Sequence, residues 1–315
     1  MMAAQVIAWA QAPGKIILFG EHAVVYGRPA IAAPLQQVQA RAEIFPDETC
    51  VVEAVDLGRE VLVAQAAADD PLAQVVRLTC AALHQPLPSW RIRVTSQIPM
   101  AAGMGSGAAV STAILRALAR AFGKKMTAAE VSAVVYEVEK IYHGSPSGID
   151  NTVIAYEQPV WFVRGQEPEP FVVGKRIHFL VADSGVPSPT REVVEDVNRA
   201  WKQDESRYET LFDAAGEIAY QARAAIEQGD VATLGMLMDV NQQVLAEMGV
   251  SSPLVERLVR AARNAGALGA KLSGAGRGGN VIALVQPVYA GQIAEAMRKA
   301  GAVSVIPTTI SPEGR

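Results

Sequence analysis

The chain has 315 residues, of which 50% are hydrophobic and 19% are charged, and its formal net charge is −4 at pH 7. This length is sufficient for two domains with sizeable cores. A mildly acidic chain without a basic tract argues against nucleic acid as a partner. Its start lacks the basic segment of a secretory signal, and the longest apolar stretch, 98–115, is interrupted by Gly and Ser, so no membrane span is predicted.

The spacing of the cysteines and histidines limits which disulfides and metal sites the chain could form. Cys50 and Cys80 stand apart without a CxxC spacing, which is typical of reduced, buried thiols, and we expect a cytoplasmic protein. The four histidines show no HExxH or other paired spacing, so a dedicated zinc site is not predicted.

The first half of the chain is predicted to contain several strands followed by a mixture of helices and strands. Thr127, followed three residues later by Glu130, predicts a capping box at the start of a helix. Ala12-Pro13-Gly14 predicts a break between the first two strands. The predicted elements are strands over 5–9, 15–19 and 29–45, a hairpin of 51–55 with 60–64, a helix over 72–83, a strand over 90–96, helices over 108–122 and 127–143, and a short helix after a Gly/Pro cluster at 143–150.

The second half begins after residues 158–175, which hold three prolines and several charges. We interpret this segment as a hairpin and crossover and place the domain boundary there, giving domains of 1–170 and 171–315. The later elements are a strand over 178–183, helices over 190–203, 206–228, 230–247 and 253–265, a strand, a glycine-rich loop over 273–279, a strand over 280–284, a helix over 288–300 and a strand over 303–307. Strands and helices mix without strict βαβ alternation, so the predicted fold class is α+β.

The most informative run is 98–109, in which Gly103, Gly105 and Gly107 precede an apolar helical pattern. Glycine lets backbone N–H groups approach a ligand, and a helix N-terminus adds unpaired N–H groups and a positive dipole end. This combination predicts an anion site, most often for phosphate. No Gly-Lys-Ser/Thr follows and the spacing is not GxGxxG, which excludes two commoner phosphate loops. A tight turn packed with small residues is the alternative.

A second glycine-rich run spans Lys271 to Asn280. Its glycines would let the backbone crowd against a ligand, or the run could be a plain strand connector. Arg277 within it is either a positive charge near phosphate or a solvated side chain.

Ionisable residues mark two further segments. Lys15 opens an apolar strand that ends at Glu21-His22, and ionisable groups at the end of a buried strand tend to be functional, although a surface turn would also explain them. Glu139 lies late in a helix, and the Gly/Pro turn that follows could fold Asp150 back beside it. One carboxylate could then hold a metal while the other accepts a proton. The alternatives are an exposed Glu139 and an N-cap role for Asp150.

Together these blocks resemble the family of kinases named for galactose, homoserine, mevalonate and phosphomevalonate, the GHMP kinases. The family's three ordered blocks correspond to Ala12–Gly27, Pro99–Ala109 and Lys271–Gly279. The members that phosphorylate mevalonate are the most similar, through the first block and through His143–Asn151, Val186–Arg191 and Asn241–Gly249. The resemblance covers nearly the whole chain.

The resemblance implies a two-domain GHMP-kinase fold: an N-terminal mixed α/β domain, a C-terminal ferredoxin-like α+β domain and an active site in the cleft between them. It implies ATP and Mg²⁺ as cofactors and transfer of the γ-phosphate to the primary C5 hydroxyl of mevalonate, giving 5-phosphomevalonate for isoprenoid synthesis. The alternatives are a kinase for phosphomevalonate or another small hydroxylated metabolite, and a non-catalytic sensor on this fold. The expected partner is a small molecule, with no nucleic acid and no membrane, and a homodimer is compatible with the sequence.

The resemblance also implies residue roles. Asp150 matches the catalytic base, and Lys15 matches the lysine that acts on the substrate hydroxyl or the γ-phosphate. Glu139 matches a magnesium ligand. The residues that match the substrate pocket are Glu21, His22 and Thr190.

The residues that match the loop around the ATP phosphates are Pro99, Met100, Ala101, Ala102, Gly103, Met104, Gly105, Ser106 and Gly107. Two departures from the family stand out. Gly107 stands where members commonly have a second, metal-binding serine, which leaves Ser106, Ser111 or a water as the metal ligand. Arg277 interrupts a glycine run that is longer in the family, which leaves close backbone packing there open.

Overall fold

The computed structural model describes residues 5–99, 103–143, 146–188 and 190–312, except for the side chains of residues 142 and 143. The chain divides into two compact units, each built from separate stretches of sequence. Unit 1 comprises Met1–Gly14, Val38–Pro99 and Gly105–Glu157, and unit 2 comprises Lys15–Gln37, Met100–Met104 and Gln158–Arg315. A domain boundary at residue 170 stays a prediction.

The elements are a mixture of strands and helices. In chain order, the strands are β1 (Ala8–Phe19), β2 (Ala30–Pro46), β3 (Val51–Ala54), β4 (Arg59–Leu62), β5 (Trp90–Ser96), β6 (Val160–Phe162), β7 (Glu169–Pro170), β8 (Ile177–Asp183), β9 (Gly269–Ser273), β10 (Asn280–Val285) and β11 (Ser304–Ile310). The α-helices are α1 (Pro71–Ala82), α2 (Ser106–Ala121), α3 (Ala128–His143), α4 (Ile149–Tyr156), α5 (Thr190–Gln203), α6 (Glu205–Gln228), α7 (Val231–Glu247), α8 (Pro253–Asn264) and α9 (Ala290–Lys299). This confirms the α+β class.

Unit 1 combines a sheet with a cluster of helices. β3 lies between β4 and β5, antiparallel to β4 and parallel to β5, and β5 pairs with residues 40–46 of β2. Helices α1 to α4 pack on one another. Their contacting faces repeat apolar residues every three or four positions, as in Ile114 and Leu118 of α2 and Val131 and Val135 of α3, which are all buried.

Unit 2 contains a four-stranded antiparallel sheet in the order β11-β8-β10-β9. One face of this sheet forms a core with helices, including Phe212 of α6 and Leu258 of α8. β9 lies at the edge, where unpaired N–H groups would invite pairing with another strand. Two side chains of α7 accept those bonds: Asp239 Oδ1 from Ala270 N at 2.9 Å and Gln242 Oε1 from Leu272 N at 2.8 Å.

The predicted break at residues 12–14 is wrong, because β1 continues from Ala8 to Phe19. Among the described strands β1 pairs with β2 alone. Sheets accept proline on edge strands, where one row of N–H groups has no ladder partner, and β1 is such a strand. The other predicted elements are present with small shifts of their ends. The most useful shift is that α2 begins at Ser106, two residues earlier than predicted.

The predicted capping box of α3 is confirmed. Thr127 Oγ1 accepts a hydrogen bond from Glu130 N at 3.2 Å, and Glu130 Oε2 accepts one from Thr127 N at 2.7 Å. Cys50 and Cys80 are buried free thiols, as predicted. Burial raises the pKa of Cys50 to about 12 and that of Cys80 to about 11, so neither forms the reactive thiolate at neutral pH. No helix in the described part of the chain has the length and apolar character needed to cross a membrane.

Candidate functional site

The part of β1 that belongs to unit 2, residues 15–19, ends in a tight turn that presents Glu21 and His22. Gly20 has a φ of 88°, and a Cβ there would lie 2.3 Å from the Pro29 carbonyl oxygen, so the turn requires glycine. His22 has φ 60° and ψ −49°, and Ala23 N donates to Glu21 O at 2.7 Å, which forms a γ-turn centred on His22. Backbone strain of this kind costs on the order of 1–3 kcal/mol and concentrates at functional sites.

The Glu21 side chain forms a buried ion pair with Lys271 of β9. Both side chains are completely inaccessible to solvent, and Lys271 Nζ donates to Glu21 Oε1. Burial raises the pKa of Glu21 and lowers the pKa of Lys271, while the opposite charge of each partner opposes these shifts. The second carboxylate oxygen, Glu21 Oε2, is buried and has no hydrogen-bond partner among the described residues.

The His22 ring joins the same turn to the second glycine loop. Its Nε2 donates to the Ala275 carbonyl oxygen at 2.8 Å, because a carbonyl only accepts. Burial lowers the pKa of His22 to about 4. The ring is therefore neutral at pH 7 and holds the proton on Nε2.

The second glycine loop, residues 274–279, packs its backbone tightly within unit 2. A Cβ on Gly276 would lie 2.1 Å from Val250 O, and one on Gly278 would lie 2.5 Å from Val186 O. Arg277 N donates to Val250 O at 2.7 Å, so close packing persists at the residue that interrupts the glycine run. The Arg277 guanidinium pairs with Asp196 of α5, which engages its positive charge.

Lys15 is buried on β1, and its strand is held on two sides within unit 2. Lys15 N donates to Met104 O at 3.0 Å, which anchors the first glycine loop. Ser273 Oγ of β9 accepts from Ile17 N at 3.0 Å and donates to Ile17 O at 2.8 Å. Gly103 has a φ of 71°, and a Cβ there would meet no atom of the described residues within 4 Å.

The remainder of the predicted phosphate loop lies at the start of α2. Gly105 is the N-cap in the left-handed conformation, with φ 72° and no side-chain cap. Ser106 and Gly107 are therefore the first helical residues, whose N–H groups lack intrahelical acceptors. Pro99 is half-buried. The predicted loop residues Met100, Ala101 and Ala102 lie outside the described residues.

Glu139 and Asp150 belong to the helical cluster of unit 1. Glu139 is buried on α3, whereas Glu137 is exposed and pairs with Lys140 at 2.7 Å. Asp150 lies half-buried in the first turn of α4, whose N-cap is Gly148, so the N-cap interpretation of Asp150 is wrong. The contacts of α2, α3 and α4 place Ser106, Glu139 and Asp150 on three mutually packed helices.

Thr190 is the exposed first residue of α5 in unit 2, and its hydroxyl donates to Ser188 O at 3.5 Å. Ser188 Oγ in turn donates to Gly276 O at 2.7 Å, which links this segment to the second glycine loop. Within the described ranges, no group of three or more His, Cys, Asp or Glu side chains could hold a metal ion.

Comparison with known proteins decides the family. The model of the GHMP kinases N terminal domain matches residues 70–158, and that of the GHMP kinases C terminal region matches residues 222–303. The mevalonate kinase of Pyrococcus horikoshii is 35% identical, over 97% of this chain and 96% of the relative. The chain belongs to the GHMP kinases. A second relative, the mevalonate kinase of Aeropyrum pernix, is 38% identical, over 88% of each chain.

The solved structures agree with this assignment. The crystal structure of L. major mevalonate kinase in complex with R-mevalonate has a TM-score of 0.84 and 28% identity, and the match covers 98% of this chain and 99% of that one. The two-domain GHMP-kinase fold expected from the sequence is confirmed. Membership of this kinase family implies that ATP is the phosphoryl donor.

Lys271 is the residue of this GHMP kinase that sequence reasoning missed. It stands between Ala270 and Leu272 in a fully buried strand, and the sequence alone gives it no role. One sequence feature could have indicated this role. Lys271 lies in an apolar strand and Glu21 follows another, and a charge that is buried needs a partner of opposite sign. Sequence does not show that these two charges meet, because they are 250 positions apart.

Proposed function

We propose that this GHMP kinase phosphorylates mevalonate, transferring the γ-phosphate of ATP to the C5 hydroxyl to give 5-phosphomevalonate. The observation that carries the proposal is the near full-length similarity to relatives named mevalonate kinase, at 35% identity for the Pyrococcus horikoshii protein. The structural match to a mevalonate kinase in complex with R-mevalonate supports it further. These likenesses favour mevalonate over phosphomevalonate and over a sensor without catalysis.

The proposed chemistry needs positioning and charge neutralisation more than covalent participation by the protein. Asp150 would accept the proton of the substrate hydroxyl, and a positioned base of this kind typically contributes about 10²–10⁴-fold. Lys15 would place its ammonium against the hydroxyl or the γ-phosphate. The first-turn N–H groups of α2 and the left-handed Gly103 and Gly105 would bind phosphate oxygens.

The residues present fit Mg²⁺, which prefers oxygen ligands and takes one or two carboxylates alongside substrate phosphates. Glu139 offers a buried carboxylate, and Ser106 offers a hydroxyl at the first position of α2. Ser111 is buried inside the same helix, more than one turn further along, so Ser106 is better placed. When bound, the cation would neutralise phosphate charge.

The test is to incubate the purified chain with R-mevalonate, ATP and Mg²⁺ and to follow the products by ³¹P NMR. We expect ADP and 5-phosphomevalonate in equal amounts, with turnover lost on chelation and restored by Mg²⁺. A panel of phosphomevalonate, homoserine and galactose provides the comparison. Faster turnover of another alcohol would overturn the substrate assignment, and ATP binding without turnover of any of them would favour the sensor.

A cytoplasmic location fits ATP use and the two free, buried cysteines, and we propose it for this kinase.

The oligomeric state is a separate question. Light scattering on the purified chain would decide between a monomer and a homodimer.

A further inference from the structure

Burial of the ion pair between Glu21 and Lys271 is energetically unfavourable. Removing two charges from water carries a large desolvation penalty, and an apolar pair of similar size is often as stable or more stable. Stability alone therefore does not account for two fully buried charges at this position.

Lys271 holds its ammonium in one orientation. Besides Glu21 Oε1, its Nζ donates to Leu272 O at 2.6 Å and lies 5.7 Å from the centre of the Phe19 ring, within the range of a cation–π interaction. The ammonium is thus fixed by a carboxylate, a carbonyl and an aromatic face. An ammonium held in one position can in turn hold the Glu21 carboxylate in one orientation.

Glu21 is also constrained from its own backbone. It precedes the strained γ-turn at His22, whose ring is bonded to Ala275, so the turn cannot relax without breaking that contact. With Oε1 held by Lys271, the oxygen left over is Oε2, which is buried and lacks a hydrogen-bond partner among the described residues. Such an acceptor carries the desolvation cost of an unmade hydrogen bond unless a ligand donates to it.

We propose that Lys271 is a positioning residue, whose ammonium orients the Glu21 carboxylate so that Oε2 accepts a hydrogen bond from a hydroxyl group of the bound substrate. The identity of that substrate, mevalonate, rests on the proposed function. Lys271 touches no substrate in this scheme and acts only through Glu21.

The test is a double-mutant cycle of Glu21→Gln and Lys271→Met, with KM and kcat for both substrates and calorimetric binding of R-mevalonate without ATP. We expect each single variant to raise the KM for mevalonate by about 10- to 100-fold, the value of a hydrogen bond to a charged group, and to leave the KM for ATP within twofold. The double variant should be no worse than the worse single variant, because Lys271 acts through Glu21. Additive losses, or an unchanged KM for mevalonate in Lys271→Met, would overturn the proposal.

Lys299→Met is the matched control, since Lys299 is an exposed lysine paired with Glu295 at 3.6 Å, and it should change none of these values. Lys271→Met leaves a buried carboxylate without its partner and could fail to fold. In that case the affinity of Glu21→Gln for R-mevalonate is compared with that of the double variant Glu21→Gln/Lys271→Met, which lacks both charges. Equal affinities for mevalonate are expected, and a further loss in the double variant would contradict a role through Glu21.

A readout without substrate separates this proposal from the proposed function. The charged groups that face Glu21 are Lys271 of β9 and Lys15 of β1, and both favour the carboxylate form. The carboxyl infrared band of Glu21, assigned by difference against Glu21→Gln, should titrate at higher pH in Lys271→Met than in the unmodified protein. An unchanged titration would overturn the proposal even if mevalonate turns over normally. A shifted titration in a protein that does not use mevalonate would reject the proposed substrate and retain the coupling.

Discussion

The two glycine-rich segments of this kinase have similar compositions and different physical reasons for their glycines. In the first, a Cβ on Gly103 would meet no atom of the described chain within 4 Å, and Gly105 opens a helix whose first N–H groups have no intrahelical acceptors. In the second, a Cβ on Gly276 or Gly278 would collide with a backbone carbonyl oxygen of the same unit. Glycine thus leaves space for a ligand in one segment and makes room for the protein's own backbone in the other.

This difference separates residues that serve a ligand from residues that serve the fold. Substitutions on the ligand side should reduce activity more than stability. Those in the second loop should reduce stability first.

Asp150→Asn should have the largest effect, because Asp150 lies on the helix that packs against α2 and is the proposed base. We expect kcat to fall by about 10²–10⁴-fold. The Kd for the nucleotide, from equilibrium binding, and the melting temperature should stay close to those of the unmodified protein. Glu137→Gln on the exposed side of α3 is the control and should keep full activity. Unchanged turnover in Asp150→Asn would remove this residue from its role.

Gly276→Ala should cost about 2–5 kcal/mol of unfolding free energy, since the left-handed backbone disfavours a Cβ and the carbonyl of Val250 occupies its space. The matched variant is Gly103→Ala, which has a similar φ without a steric neighbour among the described residues and should cost about 1–2 kcal/mol. Denaturant unfolding measures both. We also expect Gly103→Ala to raise the KM for ATP more than Gly276→Ala does. A larger loss of unfolding free energy in Gly103→Ala, together with a larger rise of the KM for ATP in Gly276→Ala, would contradict the different roles of the two segments.

His22→Asn should reduce the dependence of the unfolding free energy on pH in the acidic range. Burial lowers the pKa of His22 from 6.5 in the unfolded chain to about 4 in the folded one, so its contribution is fully present above pH 6.5 and is lost as pH falls toward 4. The shift corresponds to about 3 kcal/mol. Urea unfolding at several pH values should show a slope in this window that His22→Asn reduces. The control is His84→Asn at an exposed histidine with a φ of 53°, and a slope that survives in His22→Asn would assign it to other groups.

Arg277→Gly should have the smallest effect. Glycine relieves the left-handed backbone at φ 59°, while the lost pair with Asp196 is half-exposed and worth about 0–1 kcal/mol. We expect the unfolding free energy to change by less than about 1 kcal/mol and the KM for ATP to stay within twofold. Asp196→Asn breaks the same pair from the other side and should behave alike. A tenfold higher KM for ATP in Arg277→Gly alone would assign the guanidinium to the phosphates.

The sequence by itself determined the elements whose signals are local. The Thr127–Glu130 capping box, the apolar spacing of α2 and the alternation of β5 each depend on residues a few positions apart, and each element is present. The break predicted at Pro13 failed because the cost of a proline depends on whether its strand lies at a sheet edge, and pairing partners are not a local property.

Tertiary structure alone decided which distant groups meet. Glu21 reaches Lys271 and His22 reaches Ala275 across about 250 residues, and nothing in either segment specifies the other. The reason for glycine at 276 likewise lies in a carbonyl of residue 250, which approaches only when the chain is folded. Local patterns fix backbone conformation through short-range sterics and hydrogen bonds, whereas the protonation, orientation and available space of these groups depend on burial, which the assembled core creates.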